Sequence, residues 1–235
     1  MGKRYFSHSK NEVMIAHFPG SCKLIKRELL NSLTDTVFYI PDNIDIISVI
    51  TDDCLENAPL HKQLLHNKIR YINPVKGKKI NWVMTMKIPL ILDGLIESKK
   101  EYSLVLDGLD VVIISDLNGI IEKFLTYNKK VLFNATIWKL PGMLTETLKN
   151  RQQYGKYKFL NAGCCFGKTK DLIDFYKYVK EVFESSRETK KSEQYFIRKA
   201  FDKRQEEVFF DYECKIFQVW HSTKEIYEGD KVYLD

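Results

Sequence analysis

The sequence predicts an α/β fold, strands layered with helices, and three observations lead there. Short apolar, β-branched runs alternate with amphipathic segments of helical period along most of the chain. The 235 residues hold only 11 glycines and 6 prolines, with no repeat, low-complexity tract or Pro/Gly/Ser-rich linker. A composition of 44% hydrophobic and 29% charged residues suits one sizeable core. A single domain over residues 1–235 is expected, and disorder as the main state is excluded.

The first strand is Val13 to His17, followed by a helix around Lys23 to Ser32. Strand Ile44 to Ile50, a helix near Ala58 to His66 and strand Ile69 to Ile72 continue the rhythm of βαβ units. After the turn Lys76-Gly77-Lys78-Lys79 a long helix is expected from about Asn81 to Ser98, interrupted at Pro89, which lacks the N–H a helix interior needs. Tyr102 to Leu106 is the best core strand. A helix over Ile120 to Tyr127, a strand over Val131 to Asn134 and a Gly-kinked strand over Lys158 to Phe166 follow. The chain then reads as helices Thr169 to about Ser185 and Ser192 to Phe201, and a last strand near Lys215 to Trp220.

Lys plus Arg number 37 against 31 Asp plus Glu, a net charge of +6, which is too mild for a nucleic-acid-binding stripe. No apolar run approaches the eighteen or so residues that span a bilayer, and no secretory signal is readable, so no membrane span and a cytoplasmic protein are expected. Five scattered cysteines without a C-x-x-C pair point to buried thiols rather than disulfides or zinc. His17 ends an apolar strand, and His61 and His66 lie five apart rather than the four that puts two ligands on one helix face. Core or surface roles are expected for these and for His8. Neither G-x-x-x-x-G-K-[ST] nor G-x-G-x-x-G occurs, which counts against P-loop and dinucleotide-binding readings.

Chemistry is best sought just beyond the carboxyl ends of the strands, where open α/β sheets bind ligands. There, Asp107 and Asp110 bracket a Gly-Leu turn directly after Tyr-Ser-Leu-Val-Leu. Two carboxylates in one turn suit Mg²⁺ or Mn²⁺ completed by substrate phosphates; the plain alternative is a turn with two solvated acids. In Phe159-Leu160-Asn161-Ala162-Gly163 small residues allow a backbone to approach a ligand, although on these residues alone a bulged strand with a turn-forming Asn is the better reading. Ser192-Glu193-Gln194 opens a helix and, on its own, is an ordinary helix start.

In this order these segments resemble the glycosyltransferase domain of the procollagen lysyl hydroxylase family and its bacterial and viral relatives. The matching residues are Leu104 to Val111, Val131 to Ala135 with Trp138 and Pro141, Phe159 to Gly163 with Phe166-Gly167, Glu193 to Phe196, and Asp211 to Gln218. Likeness is weaker over Asp45 to Lys79, and residues 1–44 form a divergent N-terminal part. The resemblance implies a GT-A fold, the Rossmann-like fold of nucleotide-diphospho-sugar transferases. It also implies a nucleotide-sugar donor, most often a UDP-sugar, a Mn²⁺ (or Mg²⁺) ion, and a hydroxyl acceptor: a glycan, a protein or a small molecule.

Carried over residue by residue, Asp107 and Asp110 become metal ligands with Leu109 between them near the nucleotide. Thr51 falls at the uridine, Lys79 at the diphosphate, Trp138 at the pocket wall, and Asn161, Ala162 and Gly163 at the donor sugar. Glu193 and Gln194 form the acidic catalytic corner. Three departures stand out. Leu109 replaces the family's Tyr, Ser192-Glu193 replaces two consecutive Asp, and the third metal ligand, a late His before Gly, has only His221 to answer for it. A metal-dependent hexose transfer is therefore expected, with a catalytically weak or silent nucleotide-sugar-binding protein of the same fold as the alternative.

Overall fold

The structure, a computed structural model, describes residues 4–7, 11–19, 27–137, 154–188, 191–220, 225–228 and 231–234. Trp138, His221 and the first part of the helix expected over Lys23 to Ser32 lie outside these residues. The described strands are β1 (Arg4–Ser7), β2 (Ile15–His17), β3 (Ile44–Ile47), β4 (Tyr102–Leu106), β5 (Val111–Ile113), β6 (Val131–Thr136), β7 (Phe159–Lys168), β8 (Val208–Phe210), β9 (Phe217–Val219), β10 (Glu225–Glu228) and β11 (Lys231–Leu234). The helices are α1 (Arg27–Leu33), α2 (Pro59–His66), α3 (Lys87–Glu97), α4 (Ile120–Leu125), α5 (Thr169–Glu184) and α6 (Glu193–Lys203).

The main sheet has the order β3-β4-β7-β6-β8 and is mixed. Strand β4 runs parallel to β3 and antiparallel to β7, and β6 runs antiparallel to β7 and parallel to β8. All five residues of β4 are buried, as expected of a strand covered on both faces. Alternation sorts them: Leu104 and Leu106 join Phe166, Leu132, Leu60 and Phe124 on one face, while Val105 joins Phe133, Ile91 and Phe175 on the other. Cys164 and Cys165 fall in these two opposite clusters, which is why neighbouring thiols stay unbridged. The mixed sheet with helices on its faces is the α/β architecture expected of a GT-A fold.

A second sheet, β5-β2-β9, sets β2 antiparallel to β5 and parallel to β9. The divergent N-terminal part thus supplies the middle strand of a buried sheet. Asp211, fully buried, holds this region to the main sheet: it accepts N–H bonds from Lys215, Ile216 and Phe217 and a hydrogen bond from Tyr127. Gln63 serves the β5 edge, where its amide exchanges two bonds with Ile113 and donates a third to the Leu33 carbonyl. The third sheet, β1-β11-β10, joins the two ends of the chain.

Several boundaries differ from the sequence expectation for visible reasons. Strand β3 stops at Ile47 because Asn73 takes over as backbone partner, accepting from the Ile50 N–H and donating to the Ile50 carbonyl. The run Ile69 to Ile72 forms only a single bridge, Ile47 to Ile72. Pro89 does not interrupt a helix: it is the third residue of α3, among the first-turn positions whose N–H has no intrahelical partner. The expected first part of that helix is an extended segment and a 3-10 turn, Met84–Met86, leaving Trp82, Val83 and Met84 exposed. Strands β5 and β8 were not expected; at three residues each they are too short for a period to register.

Candidate functional site

Parallel strands β3 and β4 end side by side and aim the following residues at one edge of the sheet. The turn Asp107-Gly108-Leu109-Asp110 is tied down on both sides: the Asp107 N–H bonds the Gly163 carbonyl of β7 at 2.8 Å, and the Asp110 carbonyl accepts from Phe18 N–H at 2.7 Å. Gly108 is required by space. A Cβ there would stand 2.2 Å from Ile50 Cγ1, and Ile50 is buried. The Ser48 hydroxyl, donating to the Leu106 carbonyl at 2.8 Å, braces the same corner.

Two cavities meet at the pair of aspartates. The larger, about 320 Å³, lies between the turn and the segment after β3, and is lined by Ile50, Thr51, Trp82, Lys87, Gly108 and Leu109. The smaller, about 230 Å³, is lined by His17, Asn161, Gly163, Glu193, Gln194 and Arg198. Asp107, Asp110 and Met84 border both. The arrangement is one bipartite cleft with two carboxylates at its waist.

Charge at the waist is concentrated. The Lys87 ammonium, buried at the start of α3, pairs with Asp107 and reaches Glu193 Oε1 at 3.5 Å. Burial alone would lower its pKa, but Asp107 and Glu193 more than offset that and hold it raised, so Lys87 is a fixed cation. A cation at a helix N-terminus opposes the helix dipole, which makes the carboxylates its only local justification. Glu193 is 6% exposed and its Oε2 has no hydrogen-bond partner. Burial raises its pKa, with Lys87 pulling the other way. On the opposite wall, His17 Nε2 stands 3.5 Å from Asp110 Oδ1, and His17 Nδ1 meets Asn134 Nδ2 at 3.1 Å. One possible ligand atom from each of His17, Asp107 and Asp110 lies within 4.8 Å of the others.

Most of the residues singled out in the sequence converge here. Thr51 and Leu109 line the larger cavity; Asn161, Gly163, Glu193 and Gln194 line the smaller. Asn161 Oδ1 accepts from Gly163 N–H and Gln194 Oε1 accepts from Ala162 N–H, so both side chains also hold strand β7 in place. Ala162 lines neither cavity and packs in the core. Lys79 is exposed and lines neither; the lysine at the cleft is Lys87. Three residues at the site were not anticipated: Lys87, Trp82 and His17. The readable signal for Lys87 was a lone charge opening the apolar run Ile-Pro-Leu-Ile-Leu.

Residues 61–229, well over half of the chain, match the family model described as the PLOD GT domain. No curated protein matches the chain.

Proposed function

The chain belongs to the family of PLOD glycosyltransferase domains, and from that premise we propose that it moves a hexose from a nucleotide-diphosphate sugar, UDP-linked, to a hydroxyl acceptor. The observation that carries the reading is the waist of the cleft: Asp107 and Asp110 stand between a cavity of about 320 Å³ and one of about 230 Å³. The larger suits the nucleotide, with Thr51 in its lining and Trp82, 40% exposed, offering the ring that Leu109 does not. The smaller suits the donor sugar and the acceptor hydroxyl.

The donor set fits a divalent cation. Cis ligands around an octahedral ion with bonds of about 2.0–2.5 Å stand roughly 2.9–3.5 Å apart; His17 Nε2 and Asp110 Oδ1 are 3.5 Å apart, and all three donor atoms lie within 4.8 Å of one another. Asp107 and Asp110 would hold the ion, which supplies charge neutralisation for a departing diphosphate. Lys87 adds a second positive charge at the same place without needing to move far from Asp107. Glu193, a residue of the smaller cavity with a raised pKa and one unpartnered carboxylate oxygen, accepts the acceptor's proton or steadies a cationic sugar. Gln194 and Arg198 are positioning residues: they bind the backbone of Ala162 and Leu160, fixing the start of α6 against β7.

The Lys87–Asp107 pair also motivates a second reading, a silent nucleotide-sugar-binding protein in which the lysine stands in for the ion. Calorimetric titration with UDP, with and without Mn²⁺, followed by UDP-sugar turnover, separates the two. Enzyme function requires Mn²⁺-dependent UDP binding and turnover, both lost by more than about 10²-fold in Asp110→Asn with the fold intact. UDP binding that is the same with and without Mn²⁺, with no turnover on any donor, supports the silent protein. Unchanged turnover in Asp110→Asn sinks the metal-dependent mechanism.

A further inference from the structure

The geometry points to His17 as the third protein ligand of the cation held by Asp107 and Asp110, supplied by β2 and so by a part of the chain that precedes the matched residues 61–229. This rests on the metal-dependent reading above and adds to it the identity of the nitrogen donor.

Four observations converge. His17 is 3% exposed, yet its ring borders the smaller cavity and its Nε2 faces Asp110 Oδ1 at 3.5 Å. Its backbone is held on both sides, paired with Val111 and Val219 and accepting the Trp220 N–H at 2.8 Å, so the ring is presented by a rigid strand. Strand β7 leaves room for that ring by a missing side chain: a Cβ on Gly163 would stand 2.3 Å from His17 Cε1 and 2.8 Å from each ring nitrogen.

The fourth observation sets the chemistry. Asn134, fully buried, meets His17 Nδ1 at 3.1 Å, and its Oδ1 has no hydrogen-bond partner. Oxygen and nitrogen of an amide are interchangeable in outline. With the amide turned over, Oδ1 accepts from Nδ1–H, and the Nε2 lone pair is left facing the aspartates. A metal-bound histidine is normally fixed in this manner through its other nitrogen. Asn134 is therefore a positioning residue for His17. An imidazole beside two carboxylates also shifts preference from Mg²⁺ and Ca²⁺, which favour oxygen, toward Mn²⁺ and its neighbours in the transition series.

The test is pulsed electron paramagnetic resonance of the full chain loaded with Mn²⁺ alone, read for nitrogen coupled directly to the metal. The wild type is expected to show a bound imidazole nitrogen. His17→Gln is expected to lose it and to bind Mn²⁺ about 10- to 100-fold more weakly by calorimetry. Should His17→Gln fail to fold, a variant with His8, His61, His66 and His221 all changed to Gln leaves His17 as the only histidine. A retained nitrogen signal there supports the assignment. A lost signal overturns it, as does a signal that survives His17→Gln. Mn²⁺ bound in an Asp110-dependent manner with no nitrogen in the wild type overturns His17 and leaves the carboxylate site standing. No Mn²⁺ binding at all removes both.

Discussion

At Glu193 the sequence and the structure weigh a side chain differently. In the sequence it is an acid at a helix start, which normally lies in water; in the structure it is buried beside Lys87 with one oxygen unpartnered. Lys87 alone does not make this favourable, since Asp107 already claims its ammonium. The consequence is a sign that can be checked. An acid whose pKa is raised on folding above the usual 4.5 stabilises the protein while protonated. That contribution is whole below pH 4.5 and is lost as pH rises through the raised value. Glu193→Gln keeps the shape and cannot ionise. Its melting temperature is therefore expected to exceed that of the wild type from pH 4.5 upward, by a margin that grows until the wild-type carboxyl is fully ionised, while sugar transfer falls about 10²- to 10⁴-fold. Thermal melts across pH 4 to 8 and a turnover assay read both; a variant less stable at pH 8 than the wild type would show that Glu193 is held by its pairing rather than strained by burial.

Among the elements, those with a long or continuous apolar signature were legible and those shaped by one unusual neighbour were not. Strand β4 and the turn after it stood out because five buried residues run straight into Asp107-Gly108-Leu109-Asp110. Strand β3 was overextended because nothing in the sequence marks Asn73 as the partner that replaces its ladder. The start of α3 was misplaced because Pro89 reads as a breaker, whereas at the third helical position it is harmless. That misplacement also concealed part of the site, since it put Trp82 and Lys87 within one long helix, while the family resemblance pointed to Lys79. His17 was concealed because the sequence does not show that β2 lies beside β5 and β9, strands drawn from residues far along the chain. The aspartate turn is itself an element with a space requirement. Gly108→Ala places a methyl 2.2 Å from the buried Ile50 Cγ1. A loss of about 1–3 kcal/mol of stability is expected, together with weaker UDP binding as the turn shifts, measured by denaturant unfolding and calorimetry. An alanine variant with unchanged stability and affinity would mean that Ile50 yields freely and that the close approach does not position the carboxylates.

For the whole molecule, what matters is how far apart in sequence the walls of the cleft are. Residues from β2, the ends of β3 and β4, the middle of β7 and the start of α6 all border it, and β2 is itself held by β9 near the other end of the chain. Asp211 couples β9 to the main sheet through three backbone N–H groups and Tyr127, and its own N–H bonds the Phe133 carbonyl at 2.8 Å. A ligand in the cleft therefore bears on the global unfolding equilibrium and not on one loop. A ligand that binds only the folded state stabilises it by about 2.7 kcal/mol at a hundred times its dissociation constant. In a chain of this length that corresponds to a rise of roughly 5–11 °C in melting temperature. Mn²⁺ with UDP is expected to produce a single transition shifted by that amount, and each alone a smaller shift, because in the proposed site Asp107, Asp110 and His17 hold the ion and the diphosphate completes its shell. Differential scanning calorimetry with the four combinations of metal and nucleotide measures the synergy. Purely additive shifts would mean that metal and nucleotide bind apart, and that the two cavities meeting at Asp107 and Asp110 do not form one donor site.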